Sequence, residues 1–300
     1  MKERIARLKN DKNAVILAHN YQVPQIQDIA DCLGDSLELS RISRERPEKM
    51  IVFCGVRFMA ETAKILSPEK KVLLPASDAG CPLADMITPQ QLIDLKQKHP
   101  DAWVVSYVNT SADIKALSDV CCTSANAIDV VKNVPAHKVI FVPDRNLGWW
   151  VQKNVPEKEL IIWEGFCYVH DKFTLSDIFK ARSRHPDARV FVHPECRSEV
   201  LEEADSVLST SGMIKKARAS QAKEFVIGTE SSLIYRLQKD NPEKDFFSLG
   251  NAQFCMNMRK TTLQELHDSL EQEKYEITLD AQIISKAQAA LEKMVSVLGN

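Results

Sequence analysis

The chain has 300 residues, of which 44% are hydrophobic and 27% are charged, and its formal net charge is −2 at pH 7. This length and composition are those of a globular protein with a large buried core and two or three domains. The near-neutral charge, with no long block of one sign, argues against nucleic acid and anionic membrane as partners.

The first third of the chain alternates apolar runs with amphipathic segments. Residues 1–9 have the pattern of a charged helix rather than a signal peptide, and no run reaches transmembrane length, which predicts a cytoplasmic protein without membrane contact. Residues 14–18 predict a buried strand. A helix is expected at 26–33, and Asp35 or Ser36 would be the N-cap of the next helix, although a short strand directly before Ser36 also fits. The elements predicted after it are a strand at 51–54, a helix at 58–66 and a strand at 72–74.

The same order of elements recurs twice more along the chain. The middle third predicts helices at 89–99, from 112, at 125–132 and at 147–153, with strands at 103–107, 120–122, 139–142 and 160–163. Thr123 and Ser124 are expected to cap the helix at 125–132. The last third predicts a helix at 175–184, strands at 190–192, 206–208 and 225–227, and tail helices at 261–273 and 281–298.

The tripeptide Pro-Glu-Lys divides the chain into three similar units. Its prolines, Pro68, Pro156 and Pro242, lie 88 and 86 residues apart, and such a period indicates a repeated unit. We therefore expect units at 1–86, 87–171 and 172–257, followed by C-terminal helices at 258–300 that pack on the units. Residues at equal distances before the prolines form three matched triplets: His19, Tyr107 and His193; Tyr21, Asn109 and Glu195; Ser36, Ser124 and Thr210.

The alternation of strands and helices predicts parallel sheets covered by helices. Each unit has about four strands, which is small for a doubly wound domain, so the units should pack on one another. Ligands of parallel α/β units bind beyond the carboxyl ends of the strands, where all the matched triplets fall. The predicted fold class is therefore α/β: three similar small parallel-sheet α/β/α units around a pseudo-threefold axis, with a central active site.

One cysteine follows each Pro-Glu-Lys at a similar distance: Cys81, Cys167 and Cys255. Metal binding or buried thiols are favoured over disulfides in a chain without an export signal. Structural zinc requires a fourth ligand, and no fourth cysteine repeats, whereas a [4Fe–4S] cluster on three cysteines keeps one iron open for substrate. Three buried thiols are the alternative. The five unmatched cysteines are interpreted as packing residues: Cys32, Cys54, Cys121, Cys122 and Cys196.

The polar triplets also have two interpretations. Ser36, Ser124 and Thr210 could be ordinary N-caps, or they could aim helix amides at carboxylate or phosphate groups. The other two triplets combine imidazole, phenol, amide and carboxylate groups, which favours one proton-transfer site over a packing role. Within the triplet Tyr21, Asn109 and Glu195, only the carboxylate is a competent base near neutral pH without help.

Several motifs together resemble the quinolinate synthase family, nearly end to end. They are Leu17-Ala18-His19-Asn20-Tyr21, Gly34-Asp35-Ser36, Phe58-Met59-Ala60-Glu61, Tyr107-Val108-Asn109, Thr123-Ser124-Ala125-Asn126-Ala127, Pro143-Asp144-Arg145-Asn146-Leu147-Gly148, His193-Pro194-Glu195-Cys196 and Ser209-Thr210. The resemblance implies three similar α/β domains around a central site. It also implies a [4Fe–4S] cluster on Cys81, Cys167 and Cys255, whose open iron acts as a Lewis acid.

The chemistry that the resemblance implies is a condensing and dehydrating transferase reaction of NAD biosynthesis. Iminoaspartate and dihydroxyacetone phosphate would give quinolinate, with release of phosphate and two waters, and an aspartate-oxidising enzyme would be a transient partner. Some family members carry a C-terminal Cys-x-x-Cys redox switch, whereas this chain has no cysteine after Cys255. The implied catalytic residues are Glu195, Tyr21, His19 and His193. The implied substrate-binding residues are His19, Ser36, Tyr107, Asn109, Ser124, His193, Glu195, Ser209 and Thr210.

Two other functions remain open at the level of sequence. One is a different iron–sulfur dehydratase that uses the same open iron on another acid. The other is a non-catalytic metal or redox sensor in which the three thiolates act as a switch. A sensor has no need of the histidine, tyrosine, asparagine and glutamate set, so this set favours an enzyme.

Overall fold

The computed structural model describes residues 1–296 and contains three four-stranded parallel sheets. The first sheet has the order β2-β1-β3-β4, and the other two repeat it as β6-β5-β7-β8 and β10-β9-β11-β12. This confirms the predicted fold class of three similar α/β units. The strands are β1 Ala14–His19, β2 Cys32–Gly34, β3 Met50–Cys54, β4 Lys71–Leu73, β5 Trp103–Tyr107, β6 Val120–Cys122, β7 Lys138–Val142, β8 Glu159–Ile162, β9 Arg189–Val192, β10 Ser206–Val207, β11 Glu224–Gly228 and β12 Asp245–Ser248.

Helices connect consecutive strands and cover the sheets. They are α1 Lys2–Asp11, α2 Pro24–Gln27, α3 Ser36–Glu45, α4 Arg57–Leu66, α5 Pro89–Lys98, α6 Ala112–Ala116, α7 Ala127–Asn133, α8 Arg145–Asn154, α9 Leu175–Arg184, α10 Ser198–Glu203, α11 Thr210–Ala219, α12 Leu233–Asp240, α13 Leu263–Gln272 and α14 Ala281–Ser296. Within the described residues, no helix combines the length and the apolar character needed to cross a membrane. The predicted end of the last helix at Leu298 lies outside the described residues.

In the first unit one predicted helix is wrong in extent, and one of the two predicted N-caps is confirmed. The helix expected at 26–33 ends at Gln27, because Cys32 and Leu33 pair with β1 as a strand instead. The N-cap of α3 is Asp35, whose carboxylate accepts from the amides of Leu37 and Glu38, so Ser36 is the first helical residue. The strand that the sequence allowed before Ser36 is therefore present.

The other two predicted caps also lie at neighbouring positions rather than at Ser124 and Thr210. Ser209 caps α11 by accepting from the Gly212 amide, which makes Thr210 the first helical residue. The N-cap position of α7 is Asn126, two residues after Ser124. The side-chain hydroxyls of Ser36, Ser124 and Thr210 therefore do not cap these helices.

The lysine of each Pro-Glu-Lys has a repeated structural role. Lys244 Nζ, 5% exposed, donates to the carbonyls of Ala217 and Ser220 at 2.7 and 2.9 Å, at the C-terminus of α11. Lys70 and Lys158 do the same at the ends of α3 and α7. Helix C-termini carry unsatisfied carbonyls and partial negative charge, so a buried ammonium stabilises each end. This role explains why the tripeptide recurs at a constant position.

A helix from near the end of the chain covers the first sheet. α5 packs on the second sheet through Leu92, and α9 packs on the third sheet through Ile178. The corresponding helix of the first sheet is α13, near the end of the chain, whose Leu266 and Leu270 pack on Ile16 and other residues of β1 and β3. α5, α9 and α13 all begin with a threonine capping box. α14 then packs on α4, α6 and β6.

Candidate active site

One cavity collects residues that follow the strands of all three sheets. Of the predicted site residues, its lining contains His19, Tyr21, Ser36, Cys81, Tyr107, Asn109, Ser124, Cys167, His193, Glu195, Thr210 and Cys255. Ser209 is the exception, because its hydroxyl caps α11 and donates to Asp35 at 3.1 Å. The carboxyl ends of parallel strands therefore converge on a common space, as expected for α/β units.

The three cysteines share one local structure. Each is a half-buried free thiol, three residues before a short 3-10 helix at Ala84–Met86, His170–Lys172 or Met258–Lys260. Backbone amides two and three residues farther on hydrogen-bond each sulfur. Burial nevertheless raises the pKa of all three thiols, that of Cys81 to about 12. The loops are thus built to receive thiolates, and a bound metal centre would supply the missing positive charge.

Two buried carboxylates fix two of these cysteine loops. Asp144 accepts from the Cys167 amide at 3.2 Å and from Leu147 at 2.7 Å. Glu230, at the equivalent position, accepts from the Cys255 amide at 3.2 Å. Burial raises the pKa of both carboxyls, that of Glu230 to about 7. The comparison of the three units did not reveal this pair of carboxylates, because the equivalent residue of the first unit is Val56.

The Glu195 carboxylate contacts polar side chains from several loops of the cavity. Its Oε1 accepts from Tyr107 Oη at 2.7 Å and from Asn109 Nδ2 at 3.3 Å. Its Oε2 lies 2.7 Å from Nδ1 of His170. Burial by itself would raise the pKa of Glu195, but His193, His170 and Tyr107 together lower it to about 2. Glu195 is therefore ionised at neutral pH and held in a fixed orientation.

His19 and His193 have matched tautomers. The amide of Tyr21 donates to His19 Nδ1 at 3.1 Å, and the amide of Glu195 donates to His193 Nδ1 at 3.4 Å. Because Nδ1 is the acceptor, each neutral ring carries its proton on Nε2. Burial lowers the pKa of both histidines to about 3, although the charge of Glu195 opposes this shift. Both are therefore neutral hydrogen-bond donors at physiological pH.

His170 is a site residue that the sequence analysis missed. Its ring stacks on His193 with a centroid separation of 4.5 Å, and its Nε2 lies 2.8 Å from Thr229 Oγ1. Thr229 in turn lies 2.5 Å from the Tyr21 hydroxyl. Burial keeps the pKa of Tyr21 well above its ordinary value, so the phenol stays protonated. Its position three residues after Cys167 could have indicated a role in the site, but the equivalent residues after Cys81 and Cys255 are Ala84 and Met258.

The comparisons with known proteins agree with one another. The family model described as quinolinate synthetase A protein matches residues 3–296. The chain belongs to this family. A protein named quinolinate synthase from Caldicellulosiruptor bescii is 54% identical over 297 residues, covering 99% of this chain and 98% of that protein. Proteins of the same name from Thermodesulfovibrio yellowstonii and Aquifex aeolicus are 52% and 48% identical, over 99% of this chain and 98% and 94% of theirs.

Membership of the quinolinate synthetase A family confirms the resemblance stated from the motifs. Those motifs contribute most of the polar residues that line the cavity, including His19, Asn109 and Glu195. The family match spans all three sheets and the helices that join them.

Proposed function

We propose that the chain is a quinolinate synthase of NAD biosynthesis, which condenses iminoaspartate with dihydroxyacetone phosphate and releases phosphate and two waters. The observation that carries the proposal is the meeting of Cys81, Cys167 and Cys255 with the ionised Glu195 in one cavity of a family member. Small molecules are then the partners, with an aspartate-oxidising enzyme as a transient source of iminoaspartate, and the site of action is the cytoplasm.

The three thiols fit a [4Fe–4S] cluster. They come from three separate loops, and backbone amides stabilise each sulfur as a thiolate. A cluster on three cysteines keeps one iron without a protein ligand, and when bound it supplies a Lewis acid for a substrate oxygen.

Glu195 is the residue proposed to move protons. Ring formation requires proton removal from carbon and nitrogen, and an ionised carboxylate can accept these protons. Tyr107 and Asn109 both donate to Oε1, so Oε2 is the oxygen that would accept and release protons during the reaction. Tyr21 is protonated and joined through Thr229 to His170, which makes it a candidate donor toward leaving oxygen atoms.

The remaining polar residues are proposed to bind the substrate. Neutral His19 and His193 can donate from Nε2 to carboxylate or developing oxyanion oxygens. Asn109 Oδ1 is buried and has no hydrogen-bond partner among the described residues, so a substrate N–H or O–H would satisfy it. Ser36, Ser124 and Thr210 line the cavity without capping their helices and can donate to carboxylate or phosphate groups.

The apolar part of the lining has a separate task. Val56, Phe58, Met59, Val169 and Met258 form apolar walls of the cavity, which favour the exclusion of bulk water when substrate is bound. A low local dielectric strengthens the hydrogen bonds to charged substrate groups and limits hydrolysis of the imine.

The test is an anaerobic assay of the full chain reconstituted with iron and sulfide. We expect quinolinate and phosphate in equal amounts from iminoaspartate and dihydroxyacetone phosphate, and no product when either substrate is omitted. A chain that assembles a cluster but dehydrates a different acid would instead be another iron–sulfur dehydratase. A chain that changes spectrum with redox potential and turns over neither substrate would be a sensor.

A further inference from the structure

Three different metal-binding groups lie together on one side of the cavity. The sulfur of Cys167, a ring nitrogen of His170 and a carboxylate oxygen of Glu195 are all within 4.8 Å of one another. His170 Nδ1 lies 3.2 Å from Cys167 Sγ and 2.7 Å from Glu195 Oε2. Cys81 and Cys255 are not members of this close group, which we call the mixed triad.

The chemistry of the mixed triad matches a single divalent transition ion. Thiolate, imidazole and carboxylate are the three ligand types that zinc prefers, at bond lengths near 2.0–2.3 Å. A Cys167 thiolate and a Glu195 carboxylate carry two negative charges, which balance one Zn²⁺ in a buried site. Three protein ligands also keep a fourth tetrahedral position for water or substrate.

Each ligand of the mixed triad is already oriented by a second contact. His170 Nε2 faces Thr229 Oγ1 at 2.8 Å, so its proton can sit there while Nδ1 binds an ion. Glu195 is held through Oε1 by Tyr107 and Asn109, which leaves Oε2 for the ion. The Cys167 sulfur receives backbone amides of Val169 and His170. Such outer contacts are typical of built metal sites rather than of chance groupings.

We propose that the chain, in its cluster-free form, binds one Zn²⁺ through Cys167, His170 and Glu195. Binding displaces the thiol proton of Cys167 and replaces the hydrogen bond between His170 and Glu195 by two metal bonds. This inference rests on the proposed function. The zinc site and the iron–sulfur cluster would share Cys167, so the two metal centres exclude each other. Zinc would then trap the protein before cluster assembly.

The proposal is tested by titrating the metal-free full chain with Zn²⁺ against a chromophoric chelator under anaerobic conditions. We expect one ion per chain, and a loss of affinity of about tenfold or more in Cys167→Ala and His170→Ala. Cys81→Ala and His19→Ala are matched controls, because both residues line the same cavity outside the mixed triad, and each should stay within about twofold of the unmodified chain. X-ray absorption of the zinc-loaded unmodified chain should show one sulfur and two or more nitrogen or oxygen ligands, which does not depend on the folding of any variant.

Two results would overturn the zinc site. One is equal loss of affinity in Cys81→Ala and Cys167→Ala with two or three sulfur ligands, which would put the ion among the three thiols. The other is no zinc binding by the unmodified chain. Iron and sulfide uptake measured in parallel separates this question from the proposed function: prior zinc loading should lower uptake in the unmodified chain but not in His170→Ala. If zinc-free protein fails to assemble a cluster, that result contradicts the proposed iron–sulfur cluster and leaves the zinc site untouched.

Discussion

The phenol of Tyr107 donates a 2.7 Å hydrogen bond to the carboxylate of Glu195, and this bond joins the end of β5 to the loop after β9. The acceptor and its donor therefore come from different sheets, 88 residues apart in the chain. His170 reaches the same carboxylate from another loop. The environment of Glu195 exists only when the second and third sheets are packed together, so packing of the units and chemistry of the site are coupled.

Replacing Glu195 with glutamine should lower turnover by roughly 100-fold or more, because the amide keeps the shape and loses the base. The cluster should still assemble and the substrate should still bind. Steady-state rates, iron content and substrate affinity measured on one preparation check these three expectations. Near-normal turnover in this variant would make Glu195 a positioning residue and Tyr21 the leading proton carrier.

Alanine at Cys81, Cys167 or Cys255 should remove the iron–sulfur cluster, because a cluster cannot be held stably by the two remaining thiolates. Cys121→Ala is the matched control, since Cys121 is fully buried in β6 and does not line the cavity. Iron and sulfide analysis with the visible absorption spectrum makes the comparison. An unmodified chain that has been freed of zinc and still takes up no iron on reconstitution would contradict the expectation.

Lys244→Met should reduce the free energy of unfolding by about 2 kcal/mol, because it leaves buried carbonyls at the end of α11 without their charged donor. Lys239→Met is the control, since Lys239 is exposed and its pair with Asp28 is a surface ion pair. The measurement is the urea midpoint of the full chain at neutral pH. Equal midpoints for the two variants would refute the capping role.

The ion pairs of Glu273 should contribute to the free energy of unfolding at neutral pH and lose this contribution in acid. Lys12 and Lys71 bind its carboxylate at 2.6 and 2.5 Å and lower its pKa from 4.5 to about 2. A lowered pKa in the folded state gives stability that is complete above about pH 4.5 and is lost as the pH falls toward 2. Glu273→Gln should therefore be less stable than the unmodified chain at pH 7, by on the order of 1 kcal/mol or less at this partly exposed site.

The difference between Glu273→Gln and the unmodified chain should shrink as the pH is lowered through this range. Thermal unfolding at several pH values measures this difference, with Glu271→Gln, in the helix that ends just before Glu273, as the control. A difference that stays constant from neutral to acid pH would show that the ion pairs with Lys12 and Lys71 are not its source.

The repeat spacing placed the three polar triplets and the three cysteines in one cavity, as the structure has them. Equal distances from Pro-Glu-Lys bring Cys81, Cys167 and Cys255 to equivalent loops because the three sheets have the same strand order. A further matched triplet escaped notice although the same spacing contains it. Asp31, Asp119 and Asp205 each accept a strand amide, those of Ile16, Val104 and Val190, at 2.9, 2.8 and 2.7 Å.

Other features could not be predicted because they depend on contacts between units. The position of His170 three residues after Cys167 is not matched by a polar residue in the other units, and its role comes from Glu195 and Thr229, which belong to another sheet. Cys32–Gly34 lacks the length and composition of a strand and becomes one by pairing with β1. Adjacent polar residues at 35–36 and 209–210 left the N-caps uncertain by one position, which only the backbone resolves.

The placement of α13 on the first sheet has a consequence for biosynthesis. The ribosome releases β1 and β3 early, but the helix whose Leu266 and Leu270 cover them is among the last segments to emerge. Before that, α1 and the short α2 contribute to the cover of this face through Ile5 and Ile26. The second and third sheets receive α5 and α9 before their own strands are made, so they can be completed in order as the chain emerges. The first sheet, although synthesised first, is the last to be finished, and a ribosome that stalls before Thr262 would present an open apolar surface to chaperones and proteases.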